Sequence, residues 1–396
     1  MNYKITYGKN VYGSDEIKAV NQCISKTTQM GKYVLSFEKK ISKLTNKKFT
    51  VMANSGSSAC LLLSEILNLK KGDEFIVPAV NFPTAIVPFI KKGLIPRVID
   101  IDLENLQIDI KKIKQNITKK TKFALIPNLI GYIPRWDLIR KAVGKKFILV
   151  EDSADTMGPK INNKLTGNYT NYTISSFYGS HVINCAGNGG ALSLNDKHEY
   201  KRSSIIRSWG RLSSVINENN LKERFNYKIN NKIYDKKFVF TELGYNLEPS
   251  EIGSAFGLVQ LQKLKKNISI RVKNYKLLEN YFKNYSQYFY YIKNDKQINT
   301  ALLAFPVVVK KNAPFNRFQL QLYLEKSKIQ TRPIFSGNFL KQPAFKKILF
   351  KRLEKKFPNA DHLTDNGLMF GLHHGLKPKD ISFIIKKLDF FLKKFL

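Results

Sequence analysis

Two apolar periods alternate along the first half of the chain. Residues 49–53, 74–77, 97–101, 123–127 and 147–151 are short runs rich in β-branched and apolar side chains, the pattern of buried strands. Between them, residues 57–70, 83–92 and 136–143 repeat apolar positions every three or four residues, which gives a helix one buried face. Strand and helix in alternation predict an α/β fold with a mostly parallel sheet covered on both faces. Residues 248–285 read as one long helix or a bent pair leading out of that unit. Beyond them, residues 289–292 and 302–309 read as strands, and residues 315–326 and 378–395 as helices, which predicts a small α+β lobe. The expected division is a large domain over residues 1–265 and a small C-terminal domain over residues 266–396, with no internal repeat and no low-complexity linker.

Composition supports this division. A chain of 396 residues, 43% hydrophobic, can bury one large core and a smaller one. Its longest apolar runs, such as residues 147–150 and 301–309, are too short or too broken to cross a bilayer, and MNYKITYGKN lacks the apolar centre of a signal peptide. A cytoplasmic chain without a membrane partner is expected. The cysteines Cys23, Cys60 and Cys185 form no CxxC pair and suit a reducing compartment. The formal net charge of +37 raises nucleic acid as a partner, yet the lysines are spread over the whole chain instead of forming one stripe with interleaved aromatics. A positive field of this kind also draws in a small anionic metabolite, and that is the partner expected here, with no nucleic acid.

In an open parallel sheet, ligands bind at the carboxyl ends of the strands, so the loops there carry the chemistry. In Asn54-Ser55-Gly56-Ser57-Ser58-Ala59, a glycine and hydroxyls at a helix start expose N–H groups that suit a phosphate; the same residues also make an ordinary N-cap. Phe82, in the loop after the second strand, is either a flat platform for a planar ring or a core side chain. Residues 148–155 lead apolar side chains into Glu151, Asp152 and Asp155. A carboxylate there can hold the proton of a pyridinium ring, and metal ligation is the competing reading, with no histidine nearby in sequence to complete a ligand set. The fourth loop, SSFYGSHVIN, places a lone histidine, His181, after a strand and before the turn Gly187-Asn188-Gly189-Gly190. Read alone, the histidine is a satisfied structural group and the turn a hairpin.

The order of these features resembles fold type I pyridoxal phosphate enzymes of the aspartate aminotransferase kind. More closely, it resembles the sugar aminotransferases of nucleotide-sugar biosynthesis (the DegT/StrS type). The motifs run from SDEIKAV and NSGSSA through PAVNFPT, EDSADTMG, SFYGSHVIN and GYNLEPSEIGSAFGLVQL to TRPIFSGN. Where this family carries the lysine that ties the cofactor covalently, the chain has His181. That exchange is similar to the branch of 3-dehydratases acting on nucleotide-linked 4-keto-6-deoxy sugars in deoxysugar and O-antigen biosynthesis. The resemblance implies pyridoxamine or pyridoxal 5'-phosphate as cofactor and His181 as the base that permits loss of the sugar 3-hydroxyl. It also implies glutamate or a similar amino acid as the donor that restores the amine. Further, it assigns Asp152 to the pyridine nitrogen, Asp155 to the ring hydroxyl and Phe82 to stacking, and Gly56, Ser57, Ser58 and Ser176 to the phosphate loop. Asn246 is implied to come from a neighbouring subunit, hence a homodimer with shared active sites. Arg211 and Arg332 are candidate anion contacts, or plain surface arginines.

Some relatives couple dehydration to a reductase through an iron–sulfur cluster held by cysteines near Trp-Gly-Arg. This chain has Leu212-Ser213-Ser214-Val215 after Trp209-Gly210-Arg211 and no cysteine beyond Cys185. A cluster needs thiolates, so a cluster-free, metal-free reaction is expected. The alternatives are a reductase-coupled CDP-sugar dehydrase without those cysteines, a nucleotide-sugar aminotransferase, and a homologue that binds cofactor or sugar without turnover.

Overall fold

The apolar periods become a seven-stranded mixed sheet in the computed structural model, which describes residues 2–395. Its strands are β1 (Phe49–Ala53), β2 (Glu74–Pro78), β3 (Ile95–Ile99), β4 (Thr121–Pro127), β5 (Ile148–Asp152), β6 (Tyr172–Ser176) and β7 (Gly190–Leu194). They lie in the order β1-β7-β6-β5-β4-β2-β3, and all run parallel except β7, which is antiparallel to both neighbours. Strands β2 and β7 are buried at every position, as in a sheet covered on both faces. The principal helices of this unit are α1 (Ser14–Ile24), α2 (Lys32–Thr45), α3 (Gly56–Ile66), α4 (Pro83–Lys91), α5 (Trp136–Val143) and α6 (Lys197–Arg207).

Three departures from the expected elements have local causes. Strand β3 begins two residues earlier than expected and contains Pro96, which lacks an N–H; the strand is at the sheet edge, where proline is tolerated. Helix α3 stops at Ile66 because Leu67 turns to an extended conformation. Residues 302 and 303 stay outside the strand that follows them, because their peptide groups bond to Arg271 and Ile130.

The long helical period is one continuous helix, α7 (Glu251–Lys283), and residue 265 falls in its middle. After it, β8 (Phe289–Tyr291), β9 (Ala304–Val309), β10 (Thr331–Arg332) and β11 (Gly367–Gly371) form an antiparallel sheet in the order β8-β9-β11-β10. Helices α8 (Arg317–Lys326), α9 (Pro358–Asn366) and α10 (Pro378–Leu392) accompany it, which is the expected α+β arrangement. Among the described residues, no helix is long and apolar enough to cross a membrane.

Helices α2 and α7 frame the loop that follows β6. The fully buried Glu251, the first residue of α7, accepts backbone N–H bonds from Gly31 (2.9 Å), Tyr33 (2.7 Å) and Val34 (3.1 Å), so its carboxylate caps the start of α2. Phe37 of α2 meets Phe177 edge to face at 4.8 Å, and both belong to an apolar cluster with Val182, Ile183 and Cys185. The residues on either side of His181 are therefore anchored from below. Replacing Glu251 by Gln leaves at least one of these buried N–H groups poorly matched. The expected result is a loss of about 2 kcal/mol in urea unfolding with an unchanged m-value; an unchanged midpoint would remove the capping role.

Candidate active site

A cavity of about 260 Å³ opens where β4, β5 and β6 end, at residues Pro127, Asp152 and Ser176. Its walls bring together Gly56, Ser57, Phe82, Asp152, Asp155 and His181, six positions scattered over more than a hundred residues of sequence. The phosphate-type loop is formed by Ser55, the N-cap of α3, whose hydroxyl accepts from the N–H of Ser58 at 3.1 Å. The first bond inside the helix comes from Ala59 N–H to the Ser55 carbonyl, so the N–H groups of Gly56 and Ser57 precede the ladder and face the positive end of the helix. Strand β7 runs directly against this turn. A Cβ on Gly190 would lie 2.2 Å from the Ser55 carbonyl carbon, so only glycine fits there.

His181 is held in one orientation. Its Nδ1 is 3.2 Å from the Ser176 carbonyl oxygen, which only accepts, so Nδ1 carries the hydrogen and the neutral ring keeps its lone pair on Nε2. Nε2 is 4.0 Å from Asp155 Oδ1. Burial, reinforced by the nearby Arg271 charge, pulls the imidazole down to about 4, so it is an uncharged proton acceptor at neutral pH. Tyr178 stands edge-on to the ring at 5.9 Å.

The two carboxylates face the opposite pressure. Burial raises Asp152 to about 6, against an N–H bond from Ala154 to Oδ1 at 3.1 Å. Burial and the charge of Asp152 raise Asp155 to about 8, although Ile130 N–H donates to Oδ2 at 2.9 Å. Neither carboxylate pairs with a lysine or arginine among the described residues, and no lysine lines the cavity. Two buried acids without a cation form a place for a positively charged or proton-bearing ligand atom.

The other expected residues divide. Phe82 is not in the core: it is 53% exposed, lines the cavity, and meets Phe335 edge to face at 6.1 Å. Ser176 lines the cavity and Ser57 does so with its hydroxyl 3.1 Å from that of Thr84. Ser58 does not: its hydroxyl donates to Asn54 Oδ1 at 2.6 Å and meets Ser55 Oγ at 2.9 Å, so it serves the helix cap. Asn246 is exposed and outside the cavity of its own chain, in a bridge with Ser208. Arg211 stacks on the Trp209 ring at 4.3 Å and Arg332 is 5.8 Å from the Tyr7 ring centre; neither lines the cavity. Phe335, Thr84 and Tyr178 line it without having been singled out. Tyr178 was visible in SFYGSH and Phe335 in TRPIFSGN, but neither motif says by itself that its aromatic ring reaches the cavity.

A family model described as the DegT/DnrJ/EryC1/StrS aminotransferase family matches residues 10–389. The chain belongs to this family. It is 34% identical over 367 residues to GDP-4-keto-6-deoxy-D-mannose 3-dehydratase of Escherichia coli O55:H7, covering 90% of this chain and 92% of that protein. A solved structure of E. coli GDP-4-keto-6-deoxy-D-mannose-3-dehydratase with bound hydrated PLP superposes with a TM-score of 0.89 at 32% identity, covering 98% of this chain and 100% of that one. A second, of GDP-4-keto-6-deoxymannose-3-dehydratase with a trapped PLP-glutamate geminal diamine, gives a TM-score of 0.87 at 32% identity, with coverage of 97% and 100%. The fold is thus the aminotransferase fold that the motifs implied.

The opposed shifts have a consequence for stability. Folded Asp155 keeps its proton to about 8, whereas an unfolded aspartate releases it near 4, so its contribution is complete at low pH and is lost as pH rises across that window. Asp152 acts in the same direction up to about 6. His181 acts in the other: below about 6.5 the unfolded imidazole takes up a proton that the folded one refuses until about 4, so its effect fades above 6.5. Between pH 6.5 and 8, Asp155 therefore dominates this trio. The Tm of cofactor-free protein is expected to gain a downward slope there from Asp155, which the Asp155→Asn variant loses; equal slopes in both proteins would contradict the burial of this proton.

Proposed function

We propose that this chain is a pyridoxamine phosphate-dependent 3-dehydratase of a nucleotide-linked 4-keto-6-deoxyhexose, acting as GDP-4-keto-6-deoxy-D-mannose 3-dehydratase does, with glutamate or a similar amino acid as amine donor. The observation that carries this reading is His181, with its free Nε2 lone pair, in a cavity that no lysine lines. The residues fit the cofactor: two buried carboxylates lack a cation, and a helix N-terminus with hydroxyls lines the same cavity.

When bound, pyridoxamine phosphate supplies an amine for the sugar 4-keto group and a protonated ring that draws electrons from the carbon beside it. Asp152 holds the ring nitrogen proton, the contact that relieves its uncompensated burial. Asp155, on the cavity wall, would meet the ring hydroxyl, and the exposed Phe82 would offer a flat surface for the ring to stack on. The N–H groups of Gly56 and Ser57, with the hydroxyls of Ser57 and Ser176, would hold the phosphate. His181 removes the proton at Nε2 while Ser176 keeps Nδ1–H in place. The resulting imidazolium, disfavoured by burial, passes that proton readily to the departing 3-hydroxyl.

Asn246 is outside the cavity of its own chain, so its assigned role needs a neighbouring copy, and the reading includes a homodimer with shared sites. The surface around it supports this: Phe240 is 59% exposed and Leu243 97% exposed, a cost that a second copy would relieve. Three buried free thiols support a reducing, cytoplasmic setting. The large domain up to about residue 265 and the small domain after it remain the proposed division, with α7 spanning the join.

Incubation with pyridoxamine phosphate, glutamate and GDP-4-keto-6-deoxymannose, without a reductase, is expected to release the 3-deoxy product by mass spectrometry. His181→Asn is expected to lower turnover at least about a hundredfold while the pyridoxamine phosphate Kd stays within about twofold. Retained turnover in that variant would remove the base, and a strict need for a reductase would move the chain to the reductase-coupled group.

A further inference from the structure

Arg271, in the middle of α7, is fully buried and has no carboxylate partner among the described residues. Its Nε and Nη2 have no protein partner, and Nη1 donates to the carbonyl oxygens of Leu302 (3.2 Å) and Leu303 (2.9 Å). A buried cation is costly, and an apolar side chain of similar size would fill the same volume at less expense. Its two bonds land on the segment that touches the cavity wall. The Leu302–Leu303 peptide accepts from Arg271 at its oxygen and donates its own N–H to the Ile130 carbonyl at 2.7 Å. Ile130 in turn donates its N–H to Asp155 Oδ2 at 2.9 Å.

Ile130 holds this position against its own preference. Its φ of 59° is in the left-handed region, where a β-branched residue is strained, so the surroundings must impose the conformation. The next residue, Gly131, has φ 88°, and a Cβ on it would lie 2.6 Å from the Ala301 carbonyl oxygen. The Thr300 hydroxyl donates to the Gly131 carbonyl and meets Thr156 Oγ1 at 3.1 Å, which ties the residue after Asp155 to the same crossing.

We propose that Arg271 is a positioning residue for Asp155, acting through the Leu302–Leu303 peptide and the strained Ile130 to fix the carboxylate that faces the cofactor. It orders the crossing between the two sheets, and the crossing aims the Ile130 N–H. The proposal rests on the functional reading only in that Asp155 faces the bound ring. It extends that reading to a residue that touches neither cofactor nor sugar.

A double-mutant cycle on pyridoxamine phosphate affinity, followed by its absorbance during titration, tests it without turnover. Arg271→Met is expected to weaken binding about tenfold in the otherwise unaltered chain and less than about twofold in the Asp155→Asn background, because a residue acting only through Asp155 has nothing left to position there. Arg271→Lys, which can still donate to the Leu302 carbonyl, is expected to recover most of the affinity. An equal loss in both backgrounds, or no loss in Arg271→Met, would overturn the proposal. If Arg271→Met does not fold, Gly131→Ala pushes the same crossing apart and carries the same cycle with the same two outcomes. Failure of the unaltered chain to bind pyridoxamine phosphate would instead sink the functional reading itself.

Discussion

The bond between His181 Nδ1–H and the Ser176 carbonyl fixes everything that the cavity can do. It selects the tautomer, leaves the lone pair on Nε2, and turns that atom toward Asp155. The same contact ties the histidine to the last residue of β6, so the base is referenced to the sheet and not to a free loop. Burial then keeps the ring uncharged, and two buried aspartates next to it remain without a cation. The site is a neutral base beside an unsatisfied acidic wall, an arrangement that a protonated heterocycle completes.

The scaffold delivers this geometry by backbone approach more than by side-chain reach. Strand β7 passes the α3 N-terminus at a distance that only glycine allows, which packs the sheet tightly against the turn at Ser55 and Gly56 on the cavity wall. At the other end, the crossing of residues 129–131 with 301–303 brings the small lobe against the wall that carries Asp155. Between the two, Glu251 binds α2 to α7, and the apolar cluster around Phe37 and Phe177 supports the histidine loop from below.

Much of this was legible in the sequence because strands and helices write their periods locally. The runs 49–53, 74–77, 123–127 and 147–151 marked strands of the sheet; Gly56 and Ser57 follow the first, Phe82 the second, and Asp152 and Asp155 the last, while β6 and β7, on either side of the His181 loop, were given no bounds from the sequence. The two readings of Ser58 stayed open for a physical reason: a hydroxyl at a helix start can serve a ligand or the cap, and its bond to the Asn54 side chain, which favours the cap, is written in no periodicity. Arg271 was silent, and Phe335 stood in the TRPIFSGN motif without a stated place, because where these side chains end up depends on how residues beyond α7 pack against the large sheet, which no local pattern encodes. The expected division at residue 265 falls inside α7, which continues through it without a break.

The central claim is that an imidazole replaces a tethering amine, so that the coenzyme is held only by non-covalent contacts. Intact-mass measurement of the chain after saturation with pyridoxal phosphate and borohydride reduction tests it directly. The account predicts an unaltered protein mass with all of the coenzyme released on denaturation. A stoichiometric adduct on any lysine would contradict it.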